Sequence, residues 1–175
     1  MSHLTIPVSA SDHLQGKADA PLVLVEYGDF ECPYCGRMYP IIQQLQRELG
    51  DKLAVVYRHF PLVDMHPHAG AAAMVSEAAA QADKFWSMHD RLFESQGALA
   101  DDDLVRYGRE LGVAEALIQR AFDGDKDFVA KIEVDFRGGV RSGVNGTPSL
   151  FLNGTRYDGE PDVAPLLQAL ERMLR

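Results

Sequence analysis

The sequence predicts an α/β fold in which a βαβ unit and a later ββα unit bracket a long all-helical segment. Three observations carry that reading. The run Cys32-Pro33-Tyr34-Cys35 lies between an apolar stretch, Leu22 to Tyr27, and an amphipathic one, Met38 to Leu49, which is a strand–turn–helix setting. From about His66 to Ser142 the apolar residues recur at helical spacing. Asn153-Gly154 then separates two strand-like runs, a strong short-range hairpin signal.

Taken in order, Leu22-Val23-Leu24-Val25 is a short β-branched run bounded by Pro21 and Gly28, suited to a strand buried on both faces. Pro33 suits a first helical position, where its missing N–H costs no hydrogen bond. Met38, Ile41, Ile42, Leu45 and Leu49 follow on one helical face, and Gly50 supplies the stop. Leu53 to Phe60 reads as a second strand ended by Pro61, which completes a βαβ unit with its right-handed crossover. The Ala-rich segment Ala69 to Ala82 leads into a helix in which Phe85, Met88, His89, Leu92 and Phe93 share a face, closed by Gly97. Asp101 to Asp103 offer N-caps for a helix ending at Gly112, and another runs from about Val113 to Phe122. Phe128, Val129, Ile132, Phe136 and Val140 mark the apolar face of the next helix, closed by Gly143. Ser149–Leu152 and Thr155–Tyr157 form the hairpin, and a terminal helix from about Asp162 carries Val163, Leu166, Leu167, Leu170 and Leu174 on one face.

Composition narrows the function. A chain of 175 residues that is 46% hydrophobic fits one domain with a substantial core. Acidic residues outnumber basic ones 26 to 17, and no cluster of Lys and Arg interrupts the net charge of −9. Nucleic acid is therefore not an expected partner, because binding its phosphates needs the opposite field. No apolar run approaches the roughly 18 residues of a membrane span, so no membrane association is expected. Met1 to Pro7 lacks the basic and apolar regions of a secretory signal, which places the chain in the cytoplasm. A periplasmic or exported location follows instead if a signal peptide has been removed. With a single C-x-x-C and no separate dimerisation segment, a monomer is expected.

Cys32 and Cys35 are the only cysteines. A thiolate, not a thiol, attacks a disulfide, and a free cysteine with a pKa of about 8.5 is mostly protonated at neutral pH. At the start of a helix the unpaired N–H groups and the positive dipole end stabilise a negative sulfur. That makes Cys32 the expected nucleophile and Cys35, one turn further in, the thiol that resolves the mixed disulfide. A plain stapling disulfide would close a loop too short to stabilise much. A zinc site could recruit His59, His66 or His68, but His66-Pro67-His68 lacks the usual ligand separation, and no metal is expected. Glu26, six residues before Cys32, is a carboxylate inside an apolar strand, costly to bury without a partner unless the strand end tips to solvent or a lysine pairs with it. His59 ends the second strand and reads either as a cation near Cys32 or, more simply, as a packed, hydrogen-bonded residue. Asp29 and Glu31 should push the Cys32 pKa up, since nearby negative charge disfavours a thiolate. Trp86 and His89 read as packing residues, and Phe30, Tyr34 and Met65 as an apolar rim for unfolded substrates.

The order of elements, with Asp29-Phe30-Glu31-Cys32-Pro33-Tyr34-Cys35, Arg58-His59-Phe60-Pro61-Leu62, Phe85-Trp86-Ser87-Met88-His89-Asp90 and Gly143-Val144-Asn145-Gly146-Thr147-Pro148, resembles the DsbA-like family of thiol:disulfide oxidoreductases. Within it the chain looks like the cytoplasmic-type or antiporter-fused members more than the periplasmic enzyme whose dipeptide is Pro-His. The resemblance implies a single domain: a thioredoxin-like core over about 20–65 and 143–175, with a helical insertion over about 66–142. It implies a cis peptide at Thr147-Pro148, with Thr147 offering its backbone to an extended substrate beside Pro33 and Tyr34. It also implies that Glu26 lies beneath the site, where burial would raise its pKa into the range of a general base for the resolving thiol. Protein or small-molecule disulfides and dithiols are the implied substrates, with glutathione or another thiol partner for recycling, and no cofactor is needed. Two other functions stay open at this point: a kappa-type glutathione-dependent transferase or isomerase, and a non-enzymatic module that binds substrate in the cis-proline groove. The direction of electron flow is also open. A mildly oxidising pair stands reduced in the cytoplasm and could donate disulfides outside it.

Overall fold

The structure, a computed structural model, describes residues 2–175. Its elements are β1 (His13–Gln15), β2 (Leu22–Gly28), α1 (Pro33–Leu49), β3 (Leu53–His59), α2 (Ala69–Ala80), α3 (Phe85–Phe93), α4 (Asp101–Glu110), α5 (Glu115–Phe122), α6 (Lys126–Arg141), β4 (Ser149–Leu152), β5 (Thr155–Tyr157) and α7 (Val163–Arg172). The strands form one mixed sheet in the order β1-β3-β2-β4-β5. β2 and β3 are parallel, from Leu22 opposite Leu53 to Gly28 opposite His59, and the other pairs are antiparallel. This is a thioredoxin-like fold, and α2 to α5 supply a helical layer of their own.

Alternation along the central strands divides the core. Leu22, Leu24, Leu53, Val55, Leu150 and Leu152 face α1 and α7, meeting Met38, Leu45, Leu166 and Leu170. Val25, Tyr27, Val56 and Phe151 point the other way, toward Phe60, Val144 and Phe136 of α6. A third cluster joins the insertion to the upper sheet and includes Phe30, Cys32, Cys35 and Tyr57 together with Met88, Leu92 and Tyr107. The cysteines thus sit where the insertion meets the βαβ unit, not on an isolated turn.

Three features differ from the sequence reading. β1 carries no sequence signal, because a three-residue edge strand has room for only one apolar residue, Leu14. What holds it is side-chain chemistry: Arg58 donates to both oxygens of Asp12 at 2.8 and 3.0 Å, to Tyr27 Oη at 3.0 Å and to the Ile6 and Pro7 carbonyls. Removing one partner of a buried pair of this kind costs about 3–5 kcal/mol. Ala100, not one of the aspartates, is the N-cap of α4, and Asp101 to Asp103 fill its first turn, where they favour the helix through its dipole. The inward face of α6 is Phe128, Asp135, Gly138 and Gly139, while Val129 and Val140 are exposed. The glycines explain the rotation: a Cβ on Gly139 would lie 2.8 Å from the Phe60 ring, so only a bare backbone permits this close approach.

Candidate active site

Cys32 is the N-cap of α1, and Pro33 opens the helix. The two cysteines are a free dithiol pair, Cys32 3% exposed and Cys35 fully buried. Their environments split them. The Cys32 thiol is pulled down to about 5, first by the hydrogen bond from Cys35 and then by Thr147 and the backbone N–H groups of Cys35 and Tyr34, which together outweigh burial. The Cys35 thiol is pushed well up, by burial and then by its bond to Cys32 and the nearby Glu26. One sulfur is therefore poised as a thiolate at neutral pH and the other holds its proton.

The Thr147–Pro148 peptide is cis and stands against the nucleophile, with Cys32 Sγ 3.4 Å from the Thr147 carbonyl oxygen. Beside it opens a groove of about 660 Å³, lined by Tyr34, Arg37, Ile41, Pro148, Tyr157 and Pro161 among others. Tyr34 is 63% exposed, with the Arg37 guanidinium stacked over its ring. The predicted contacts Thr147, Pro148 and Tyr34 therefore share one surface with Cys32, and Pro33 joins Cys32 to Tyr34 in the chain. The apolar rim is smaller than expected. Tyr34 and Met65 are exposed, but Phe30 is buried, stacked on Tyr57 with ring centroids 5.0 Å apart and tilted against Phe93. Trp86 and His89 pack into the same aromatic cluster.

Glu26 faces the cysteines from below on β2, 3% exposed. Among the described residues no lysine pairs with it. Its Oε1 has no hydrogen-bond partner among the described residues, and burial, with the Cys32 charge second, lifts its pKa to about 8. The neighbouring Tyr57, register partner of Glu26 on β3, likewise leaves its buried hydroxyl without a partner.

The acids beside the motif also have a structural task. Asp29 accepts hydrogen bonds from the backbone N–H of Glu31 and Leu62 and pairs with His66 Nδ1 at 2.8 Å, while Glu31 accepts from the backbone N–H of His68. Both carboxylates tie the 61–68 loop to the motif, and their opposing charge is outweighed at Cys32 by its hydrogen bonds. His59 takes the simpler of its two readings: it is buried and bonded to Glu77 Oε1 at 2.7 Å, an oxygen it shares with His13 at 2.5 Å. His59 and His66 thus each commit a ring nitrogen to a carboxylate, and the cluster of potential metal ligands among the described residues is His13, His59 and Glu77, without either cysteine.

Nothing in the sequence singles out Gln96, since a lone glutamine between helices has no signature. Its Nε2 donates to the carbonyls of Phe30 and Cys32, both at 2.9 Å, so the insertion clamps the backbone that carries the nucleophile. Gly36 makes room for it, because a Cβ there would fall 2.0 Å from Gln96 Oε1. Gln96→Ala is expected to cost about 1–3 kcal/mol of stability through the Phe30 carbonyl it leaves unpaired, the Cys32 carbonyl keeping the Gly36 N–H. Gly36→Ala should push the same amide away, so Gly36→Ala/Gln96→Ala should be clearly less destabilised than the two single effects added. Urea unfolding of the three variants checks this; strict additivity would show that Gly36 does not act through Gln96.

The comparisons agree with this geometry. Residues 9–172 match the family model described as Thioredoxin. A sodium/proton antiporter, NhaA 1 of Mycolicibacterium vanbaalenii, is 44% identical over 165 residues, covering 91% of this chain and 26% of that protein. The chain thus spans about a quarter of the length of the curated relatives it matches. Among solved structures, a thioredoxin-like oxidoreductase from Silicibacter pomeroyi superposes with a TM-score of 0.83 at 26% identity, covering 94% of this chain and 92% of the other. BdbD from Bacillus subtilis superposes with the same TM-score at 21% identity over 99% and 98% of the two chains. With a cis-proline beside a polarised cysteine pair at the start of α1, and a family match that runs from before β1 to the end of α7, the chain belongs to the thioredoxin family and has the DsbA-like form of its fold.

Proposed function

We propose that the protein is a thiol:disulfide oxidoreductase acting on protein or small-molecule disulfides and dithiols. The observation that carries this is the split between two adjacent sulfurs, one drawn down to about 5 and the other pushed up. In the reducing direction the Cys32 thiolate attacks a substrate disulfide and forms a mixed disulfide, expelling one substrate thiolate. Cys35 then gives its proton to Glu26, attacks Cys32 Sγ and releases the second substrate sulfur, leaving Cys32–Cys35 oxidised. The oxidising direction runs the same steps backwards. Glu26 suits the proton step because a carboxyl with a pKa of about 8 takes and returns a proton near neutrality. The groove beside Pro148 would hold an extended segment of substrate, with Thr147 offering backbone groups. We further propose that the chain acts as a monomer, with glutathione or another dithiol recycling it and a cytoplasmic location setting the direction toward reduction. A kappa-type transferase reading needs only one cysteine, and the coupling of Cys32 to Cys35 argues against it.

Equilibration of the purified protein with glutathione buffers, followed by thiol labelling, tests the proposal. The Cys32 pKa of about 5 lies between the values of about 7 for thioredoxin and about 3.5 for DsbA. A two-electron transition between about −270 and −120 mV is therefore expected. Absence of any reversible transition would overturn the redox reading and favour a module that only binds in the groove.

A further inference from the structure

Each cycle of the proposed reaction loads a proton onto Glu26, a side chain almost without contact to solvent, and that proton has to leave. Glu26 borders a cavity of about 60 Å³ whose other walls include Gln15, Tyr39, Gln43, His89 and Asp90. A buried water needs at least about 10–15 Å³ and two to four polar partners, so this space accommodates a short file of waters. The partners are there. Glu26 Oε1 is unbonded among the described residues, Gln43 Nε2 donates to Tyr39 Oη at 2.7 Å, and His89 Nδ1 lies 2.9 Å from Asp90 Oδ1. The two ends differ in access to water: the Asp90 side chain is 39% exposed, that of His89 only 8%. Cys32, Cys35 and Tyr57 are the titratable groups on the thiol side of Glu26, and Tyr39, His89 and Asp90 those on the cavity side.

We infer that this cavity is the proton exit of the site, with water carrying the proton from Glu26 to the Asp90 carboxylate at the surface. The inference rests on Glu26 being the base for Cys35. In the reducing direction the Cys35 S–H bond breaks, its proton binds a Glu26 oxygen, and the electron pair left on sulfur forms the bond to Cys32 Sγ as the Cys32–substrate S–S bond breaks and the substrate sulfur leaves as a thiolate. The Glu26 O–H then gives its proton to the cavity water, Asp90 passes one to solvent, and the carboxylate is restored. His89 is a positioning residue: burial keeps it neutral, and its bond to Asp90 holds that carboxylate at the cavity mouth.

The test uses the full chain carrying a preformed mixed disulfide between Cys32 and glutathione, with glutathione release followed at pH 7 in dilute buffer. Asp90→Asn is expected to slow release about tenfold. Added imidazole, or the conservative Asp90→Glu, should recover most of the rate, and the thiolate absorbance titration of Cys32 in the reduced protein should not move. An unchanged rate in Asp90→Asn, or a loss that buffer does not rescue, would overturn the exit route. Glu26→Gln separates the two ideas: if it resolves the mixed disulfide at the unmodified rate, the reading of Glu26 as base fails, whatever Asp90 does.

Discussion

Cys32→Ser is expected to abolish disulfide reductase activity, a loss of at least about a thousandfold, while Cys35→Ser should accumulate mixed disulfides. The asymmetry follows from geometry. Cys32 is the sulfur next to Thr147 and the groove, and its thiolate is the stabilised one. Cys35 is fully buried and meets only a sulfur brought to it. A serine at 32 offers no thiolate to attack, whereas a serine at 35 leaves attack intact and removes the escape. Mass spectrometry of each variant after incubation with a disulfide-bonded protein or with oxidised glutathione reads the outcome directly. Stable adducts on Cys35→Ser and none on Cys32→Ser are expected. The reverse pattern would mean that the roles of the two cysteines are exchanged, and turnover by Cys35→Ser at an undiminished rate with glutathione would support the single-cysteine transferase chemistry instead.

Much of this architecture was legible in the sequence because it is written in periodicity and in residues with narrow backbone preferences. The apolar run of β2, the helical spacing of Met38, Ile42 and Leu45, and Asn153-Gly154 each demand one local structure, and Thr147-Pro148 gains its meaning from the family resemblance. What was not legible depends on contacts between distant segments. β1 exists because Arg58 reaches Asp12 across 46 positions of sequence. Gln96 becomes part of the site only when the insertion folds back over the motif. Asp29 and Glu31 could be read in the sequence only as charges near a thiolate; that their oxygens also tie down the 61–68 loop through its N–H groups and His66 depends on where that loop folds. Phe30 illustrates the limit of reading hydrophobicity next to a reactive turn, because aromatic residues beside such a turn serve either as rim or as floor, and here Tyr57 and Phe93 make it the floor.

Glu26→Gln should make the protein more stable at alkaline pH and slower at its chemistry, a combination that separates a working acid from a structural one. Glu26 titrates near its ordinary value of 4.5 in the unfolded chain and at about 8 in the folded one. Between those values the folded state holds a proton that the unfolded state has released, so stability falls as pH rises through this window and levels off above about 8. The full cost of burying the ionised carboxylate corresponds to about 5 kcal/mol. A glutamine keeps the shape and loses the charge but buries an amide without obvious partners, which returns part of the gain, so a net stabilisation of roughly 2–4 kcal/mol above pH 8 is expected. For a chain of this size that is an increase of roughly 5–15 °C in the unfolding midpoint. Below pH 4.5 both side chains are neutral, the gain is gone, and the unpartnered amide should leave the variant about 1–3 kcal/mol less stable than the parent. Thermal unfolding of the reduced proteins from pH 4 to 9 measures the effect, and a stabilisation that does not grow with pH would show that Glu26 is not the group titrating in this window. A residue that only supported the fold would lose stability and rate together on replacement. Here they are expected to move in opposite directions, because the burial that makes ionised Glu26 costly is also what makes it able to take the Cys35 proton.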